Sequence, residues 1–150
     1  MEPHYYTIEV TWNQERKGIM CSPELNKDVN TCIEVATPPE FPKGIPGIWS
    51  PEHLFTAAVS SCLMTTFLAI AENSKLNFKH FTCKSQGKLE QVEGKLIMSE
   101  IILEPVVTIN EEKDRAKATL ILQKSETACL ISNSIKSKIS MNPTIRLYQS

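Results

Sequence analysis

The sequence is nearly free of net charge. Sixteen basic and seventeen acidic residues leave −1, with no long run of either sign. Nothing here pulls toward nucleic acid or an anionic membrane surface. The chain also lacks a Cys-x-x-Cys pair, and its three histidines are scattered, so a zinc site has no ligand set to grow from and no metal is expected. No basic stretch followed by an apolar run opens the sequence, so no secretory leader is expected. Its five cysteines, Cys21, Cys32, Cys62, Cys83 and Cys129, are odd in number. A secreted disulfide framework is therefore not expected. The thiols should be reduced at rest in a cytoplasmic protein, and a reactive one would be catalytic or a sensor. Repeats and low-complexity segments are absent too. What is present is ordinary globular material: 150 residues, 41% hydrophobic and 22% charged. That is enough for one domain, residues 1–150, with a real core.

Tyr6, Ile8, Val10 and Trp12 alternate with Thr7, Glu9 and Thr11, which predicts a half-buried strand. After a polar turn from Asn13 to Lys17, short strands are expected near Ile19–Ser22 and Thr31–Val35. Residues 37–50, TPPEFPKGIPGIWS, hold four prolines and two glycines and exclude regular structure. A loop of that length in a compact domain is usually functional or covers something. Further on, residues 78–89 and 95–108 predict a hairpin turning near Glu93-Gly94, with Pro105 placing its second strand at an edge or end. A helix capped by Asn110, a short one from Thr127 to Ile135 with Cys129 in its first turn, and a strand over residues 141–148 complete the expectation. The order is β-β-β-α-β-β-α-α-β, an α+β fold with mainly antiparallel sheet.

The strongest helix signal begins at Ser50, suited to the N-cap, followed by Pro51 and Glu52 in the first turn. From Leu54 to Ala71 there is no charge in eighteen residues. A membrane span is rejected, because five Ser or Thr interrupt the run and the flanks lack anchoring residues. A helix apolar on every side is buried on every side. One sheet and two further helices can hardly achieve that, so a second subunit is the economical cover.

A reactive cysteine must ionise, and a free thiol at neutral pH is only a few per cent thiolate. Cys62, in the middle of this helix, would be pushed up by burial and would need a cation from elsewhere. Cys129 would gain modestly from a helix start. Cysteines are also common core residues. Spacing alone leaves Cys62 as small hydrophobe or reactive thiol, Cys21, Cys32 and Cys83 as strand residues, Glu52 as a first-turn acid and Arg16 as a surface turn residue.

The run WSPEHLFTAAVSSCLMTTFLAIA resembles the signature helix of the OsmC/Ohr superfamily (osmotically inducible protein C and organic hydroperoxide resistance protein). There a Pro-Glu pair precedes the first reactive cysteine by ten residues, here Pro51-Glu52 and Cys62. The later run ETACLISNSIK is similar to the family's second motif, with Cys129 followed by Ser132, Asn133 and Ser134. The resemblance implies an OsmC-like fold of antiparallel sheets around a long central helix, in an intertwined homodimer. It implies a peroxidase that reduces organic hydroperoxides at the dimer interface. Cys62 would become a sulfenic acid and Cys129 would resolve it to a disulfide. No bound cofactor is implied. An external thiol reductant, a dihydrolipoyl group in the best-understood members, would reopen the bridge. By position, Arg16 would stabilise the thiolate and the departing alkoxide, and Glu52 would orient that guanidinium.

Three departures mark a less specialised branch. NQERKG replaces the glycines usual before the Arg, so Lys17 competes for its role without the planar fork. Ser50 stands where Asn is usual, and Leu130 where many members have Pro. Glu52 and Cys62 lie about 15 Å apart along one helix, too far to meet within a chain. Two copies packed antiparallel across the small residues 56–58 would bring Glu52 of one to Cys62 of the other. Phe41, Ile48 and Trp49 are candidates for an apolar wall suited to an organic hydroperoxide. The rival expectation is a non-catalytic ligand-binding or redox-sensing protein on the same fold.

Overall fold

Alternation along residues 9–36 yields three strands: β1 (Glu9–Gln14), β2 (Lys17–Cys21) and β3 (Ile33–Ala36). They form an antiparallel sheet in that order in the computed structural model, which describes residues 1–25 and 30–150. The chain divides into two units, Met1–Leu54 and Phe55–Ser150.

In the first unit, Gln14 pairs with Lys17, so Glu15 and Arg16 are a two-residue turn, and Glu15 takes a positive φ of 48°. The apolar face expected to be half-buried is not covered. Val10 and Trp12 remain 64% and 74% exposed, and Tyr5 and Tyr6 more so. Residues 37–50 are irregular, as their prolines and glycines dictate. They are nonetheless tied down. Ala36 N–H donates to Trp49 O, Ile45 N–H to Thr37 O, and Gly44 N–H to Phe41 O. A Cβ on Gly44 would fall on the Pro38 carbonyl, so only glycine permits this close return of the chain.

The expectation of reduced thiols is corrected in this unit: Cys21 and Cys32 are joined as a disulfide. The β2–β3 register ends at Met20 opposite Ile33. One step further sets Cys21 across from Cys32, with Cα atoms 4.5 Å apart. That is the spacing of a non-hydrogen-bonded antiparallel pair, and it suits a bridge.

Helix α1 (Pro51–Asn73) begins where its cap residues predict. Ser50 Oγ accepts the His53 N–H, and Ser50 O accepts that of Leu54. In the second unit, β4 (Phe78–Val92) and β5 (Lys95–Ile109) form a long hairpin. Its turn, Glu93-Gly94, has positive φ at both residues, the geometry that matches strand twist. Ile101, Leu103, Pro105, Val107 and Ile109 alternate inward on β5 and are buried. The buried side of α1, through Val59, Leu63, Phe67 and Ala71, packs on this face. Phe67 is fully buried, with Phe78 and Phe81 rings at 5.1 and 5.0 Å.

Four expectations change here. The second helix does not start at Asn110, whose Nδ2 donates instead to Asn77 Oδ1. A single 3-10 turn at residues 112–114 precedes α2 (Arg115–Ala128). No third helix starts at Thr127. Its hydroxyl bonds back to Gln123 O within α2, and only a 3-10 turn, Ser132–Ser134, follows. The last strand is two, β6 (Lys138–Met141) and β7 (Thr144–Leu147), broken at Asn142-Pro143, and both run parallel to β5. The sheet is therefore mixed. Finally, Pro105 sits in the central strand. Leu103 O and Ile109 O accept N–H groups from the β6–β7 side, so residues 103, 105, 107 and 109 address that side. The N–H that Pro105 lacks faces the gap between β6 and β7, where no partner is needed.

Candidate functional site

Two groups of the expected residues come together, one in each unit. In residues 1–54, a cavity of about 700 Å³ is lined by Arg16, Lys17 and Glu52 together with Val10, Trp12 and Phe41. The tight turn sets Arg16 at its rim, and the Arg16 carbonyl accepts the Thr37 N–H, which fixes the turn to the proline-rich loop. Lys17 is committed elsewhere, to Glu34 at 3.8 Å. Of the apolar candidates, Phe41 lines the cavity. Ile48 and Trp49 do not; Trp49 lies edge-on to His53, with ring centres 6.3 Å apart, and is half exposed.

In residues 55–150, Cys62 and Cys129 meet. Both are buried, Cys129 completely, and each thiol shifts the other's ionisation. Cys62 is carried by the inward side of α1. Cys129 follows the last residue of α2 in extended conformation, φ −64° and ψ 111°. This revises its expected environment: it sits beyond a helix end rather than at a helix start.

The turn after α2 is fixed by its own bonds. Asn133 N–H donates to Cys129 O, Ser134 N–H to Ile131 O, Ser134 Oγ to Leu130 O and Asn133 Nδ2 to Thr127 O. The Leu130 and Ile131 amides donate to none of the carbonyls there. Thr66, one helical turn beyond Cys62, brings its Oγ1 to 3.9 Å of the same sulfur.

Burial pushes the Cys62 thiol up, but hydrogen bonds override it. The Cys129 thiol, the Ile131 amide, the Thr66 hydroxyl and the Leu130 amide together hold it below the ordinary thiol range. The Cys129 thiol goes the other way. Burial raises it, the bond to Cys62 raises it further, and Ser132 offsets only part of this. The two thiols are thus shifted in opposite directions, Cys62 down and Cys129 up. No sequence signal pointed to those amides, because backbone donors leave no residue signature.

Among the described residues, no cluster of three or more His, Cys, Asp or Glu is disposed to hold a metal. Cys83, the third free thiol, contacts Ser85 Oγ at 3.4 Å and packs beside Val59 and Leu63. Helix α1 is the one described helix long and apolar enough to cross a membrane. Its inward side is the wall of the core just described, while Met64 and Leu68 on its other side are 39% and 42% exposed.

Comparison with known proteins agrees with this architecture. Residues 44–144 match the model of the OsmC-like protein family. An uncharacterised protein of Bacillus subtilis (strain 168), YmaD, is 23% identical over 146 residues, covering 94% of this chain and 93% of its own length. An OsmC-like protein of unknown function from Vibrio cholerae superposes with a TM-score of 0.80 at 20% identity, over 94% of this chain and 99% of that one. An organic hydroperoxide resistance protein from Elizabethkingia anophelis gives 0.73 at 19% identity, over 98% and 99%.

Proposed function

The chain belongs to the OsmC-like protein family, and we propose that within it this protein is a cysteine-based hydroperoxide reductase with Cys62 as peroxidatic and Cys129 as resolving thiol. One observation carries the reading. Two cysteines distant in sequence, Cys62 on α1 and Cys129 just past the end of α2, are both buried and near enough for each to shift the other's thiol, Cys62 down and Cys129 up.

The Cys62 thiolate attacks the outer peroxide oxygen and the O–O bond breaks. The sulfur is oxidised to sulfenic acid, and the alkoxide leaves as an alcohol after taking a proton. Cys129, protonated and adjacent, then condenses with the sulfenic acid, releasing water and forming the disulfide. An external dithiol of the dihydrolipoyl type reduces that bridge by exchange and leaves as its own disulfide. Nothing in the cycle calls for a bound cofactor or metal.

Arg16 and Glu52 enter through a second copy of the chain. The exposed side of α1 and the uncovered Val10 and Trp12 of β1 are apolar faces that a homodimer buries. Packing α1 antiparallel against its twin brings the Arg16–Glu52 cavity of one copy to Cys62 of the other. There the guanidinium stabilises the developing alkoxide, and Phe41 and Trp12 favour an organic peroxide over hydrogen peroxide. A cytoplasmic setting supplies both the peroxide and the thiol reductant.

The variants Cys62→Ser and Cys129→Ser separate the roles. With cumene hydroperoxide and dihydrolipoate, Cys62→Ser consumes no peroxide, whereas Cys129→Ser consumes one equivalent and retains a sulfenic acid trappable by dimedone. Undiminished turnover by Cys62→Ser would remove the peroxidatic assignment. It would leave the 700 Å³ cavity as a binding site for a small ligand.

A further inference from the structure

The Cys21–Cys32 bridge takes no part in the proposed cycle, yet its place in the first unit gives it chemistry of its own. The cavity that holds Arg16 and Glu52 is lined from the sheet by Val10, Trp12, Gly18 and Val35. These share one face, since Trp12 pairs with Gly18 and Gly18 with Val35. Cys21 and Cys32 stand an odd number of residues from Gly18 and Val35, so the bridge lies on the other face. Both cysteines are partly exposed there. The bridge also stands beyond the last β2–β3 pair, Met20 with Ile33. The pairs from Lys17–Ala36 to Met20–Ile33, and the Lys17–Glu34 ion pair at 3.8 Å, join the two strands without it. Opening it therefore leaves the ladder in place.

What the bridge does hold is a turn. Ser22 follows Cys21 directly. Its Oγ donates to Glu24 Oε2 and accepts the Glu24 N–H, both at 3.3 Å, and its carbonyl accepts the Leu25 N–H. The Glu24 carboxylate, so placed, accepts the Thr7 N–H at 3.0 Å on one oxygen and 2.9 Å on the other. On the opposite strand the Cys32 N–H donates to Asn30 Oδ1 at 3.2 Å. The bridge thus ties together both ends of the segment that carries Glu24. Glu24 in turn holds the residues ahead of β1, where Tyr5 and Tyr6 are 85% and 86% exposed.

We infer that Cys21–Cys32 is a second redox site, an exchangeable dithiol–disulfide pair on the face away from the cavity, whose state sets the grip of Glu24 on Thr7. The reaction balances without peroxide and stands apart from the assignment of Cys62. One thiolate of an external dithiol attacks a bridge sulfur, the S–S bond breaks, and the other cysteine leaves as thiolate and takes a proton. The second thiol of the reagent then closes on the mixed disulfide and frees the first cysteine. The protein gains two electrons and two protons, and the dithiol leaves as a cyclic disulfide. The reverse exchange re-forms the bridge. Oxidised, the segment is fastened to both strands and Glu24 is held at Thr7. Reduced, the turn at Ser22 is fastened through β2 alone, and the charge-assisted bond from Thr7 loosens. The site answers to the thiol–disulfide poise around the protein rather than to peroxide.

The experiment incubates the whole protein, without denaturant or peroxide, in mixtures of dihydrolipoate and lipoate. Alkylation, digestion without reduction and mass spectrometry follow. The cross-linked Cys21–Cys32 peptide should give way to two alkylated peptides in dihydrolipoate and return in lipoate, with native circular dichroism throughout. A bridge that opens only in denaturant, or only together with loss of the fold, overturns the inference. Hydrogen exchange at the Thr7 amide, read by NMR, reports the grip. It should be about tenfold faster in the reduced protein, the factor for one hydrogen bond to a charged group. Equal exchange in the two states overturns the coupling to Glu24. The Cys21→Ala, Cys32→Ala double variant removes any contribution from the other thiols. Its Thr7 amide should exchange as in reduced wild type, in dihydrolipoate and lipoate alike, and protection equal to that of the oxidised protein refutes the inference. Glu24→Ala should exchange fast in both states while its bridge still opens and closes.

Discussion

Gly87 lies against Thr56 of α1, and replacing it with alanine sets two opposed effects against each other. An alanine is favoured over glycine in a strand by about 0.5–1 kcal/mol, because the unfolded chain loses freedom. Its Cβ, however, would stand 2.2 Å from Thr56 Oγ1 and 2.6 Å from Met98 Cε. Met98 can swing its terminal methyl away. Thr56 is short and anchored on the helix, so the helix must lift or the threonine must leave its rotamer. Overpacking of this kind costs about 1–3 kcal/mol, which exceeds the entropic gain. Gly87→Ala should therefore be destabilised by about 1–2 kcal/mol, a fall in Tm of roughly 2–8 °C for a chain of this size. Thermal melts at one fixed protein concentration measure it, since association also shifts Tm. Thr56→Ala should suppress most of the loss, giving a coupling of about 1 kcal/mol in a double-mutant cycle. A Gly87→Ala protein as stable as wild type, or no coupling to Thr56, would show that α1 does not lie so tightly on the sheet.

Other outcomes follow from the same structure. Phe67→Ala empties the stack formed with Phe78 and Phe81 and should cost about 3–5 kcal/mol in denaturant unfolding; a loss below 1 kcal/mol would contradict its central place. Arg16→Ala should lower kcat/KM for cumene hydroperoxide about 10²–10³-fold, with Arg16→Lys recovering only part because it lacks the fork. Unreduced protein titrated with a thiol reagent in denaturant should show three free cysteines, matching Cys62, Cys83 and Cys129; five would remove the Cys21–Cys32 bridge.

Much of the architecture was legible because it depends on local rules. Ser50, Pro51 and Glu52 announced α1 by capping chemistry, and alternation announced β4 and β5. The C-terminal third was harder. Thr127 satisfies its hydroxyl inside α2 as readily as it would cap a new helix, and the two uses look alike in sequence. Pro105 argued against a central strand, but its missing N–H falls at a break between two partner strands. The disulfide between Cys21 and Cys32 arises from strand register, which composition and cysteine count do not encode. For the candidate site, the two motifs singled out Cys62 and Cys129, which the fold then brings into one unit. The backbone groups that help lower the Cys62 thiol, the amides of Ile131 and Leu130, leave no residue signature. β1 shows the limit of periodicity: its alternation marks an apolar face without saying whether this chain or another covers it.

In the proposed cycle Cys62 and Cys129 form one redox couple. Reduced wild-type protein treated with one equivalent of cumene hydroperoxide, then alkylated and digested without reduction, tests it directly. A single new cross-link joining the Cys62 and Cys129 peptides is expected, with Cys83 recovered in alkylated form. Recovery of both Cys62 and Cys129 as free, alkylated thiols after exposure to the peroxide would contradict it.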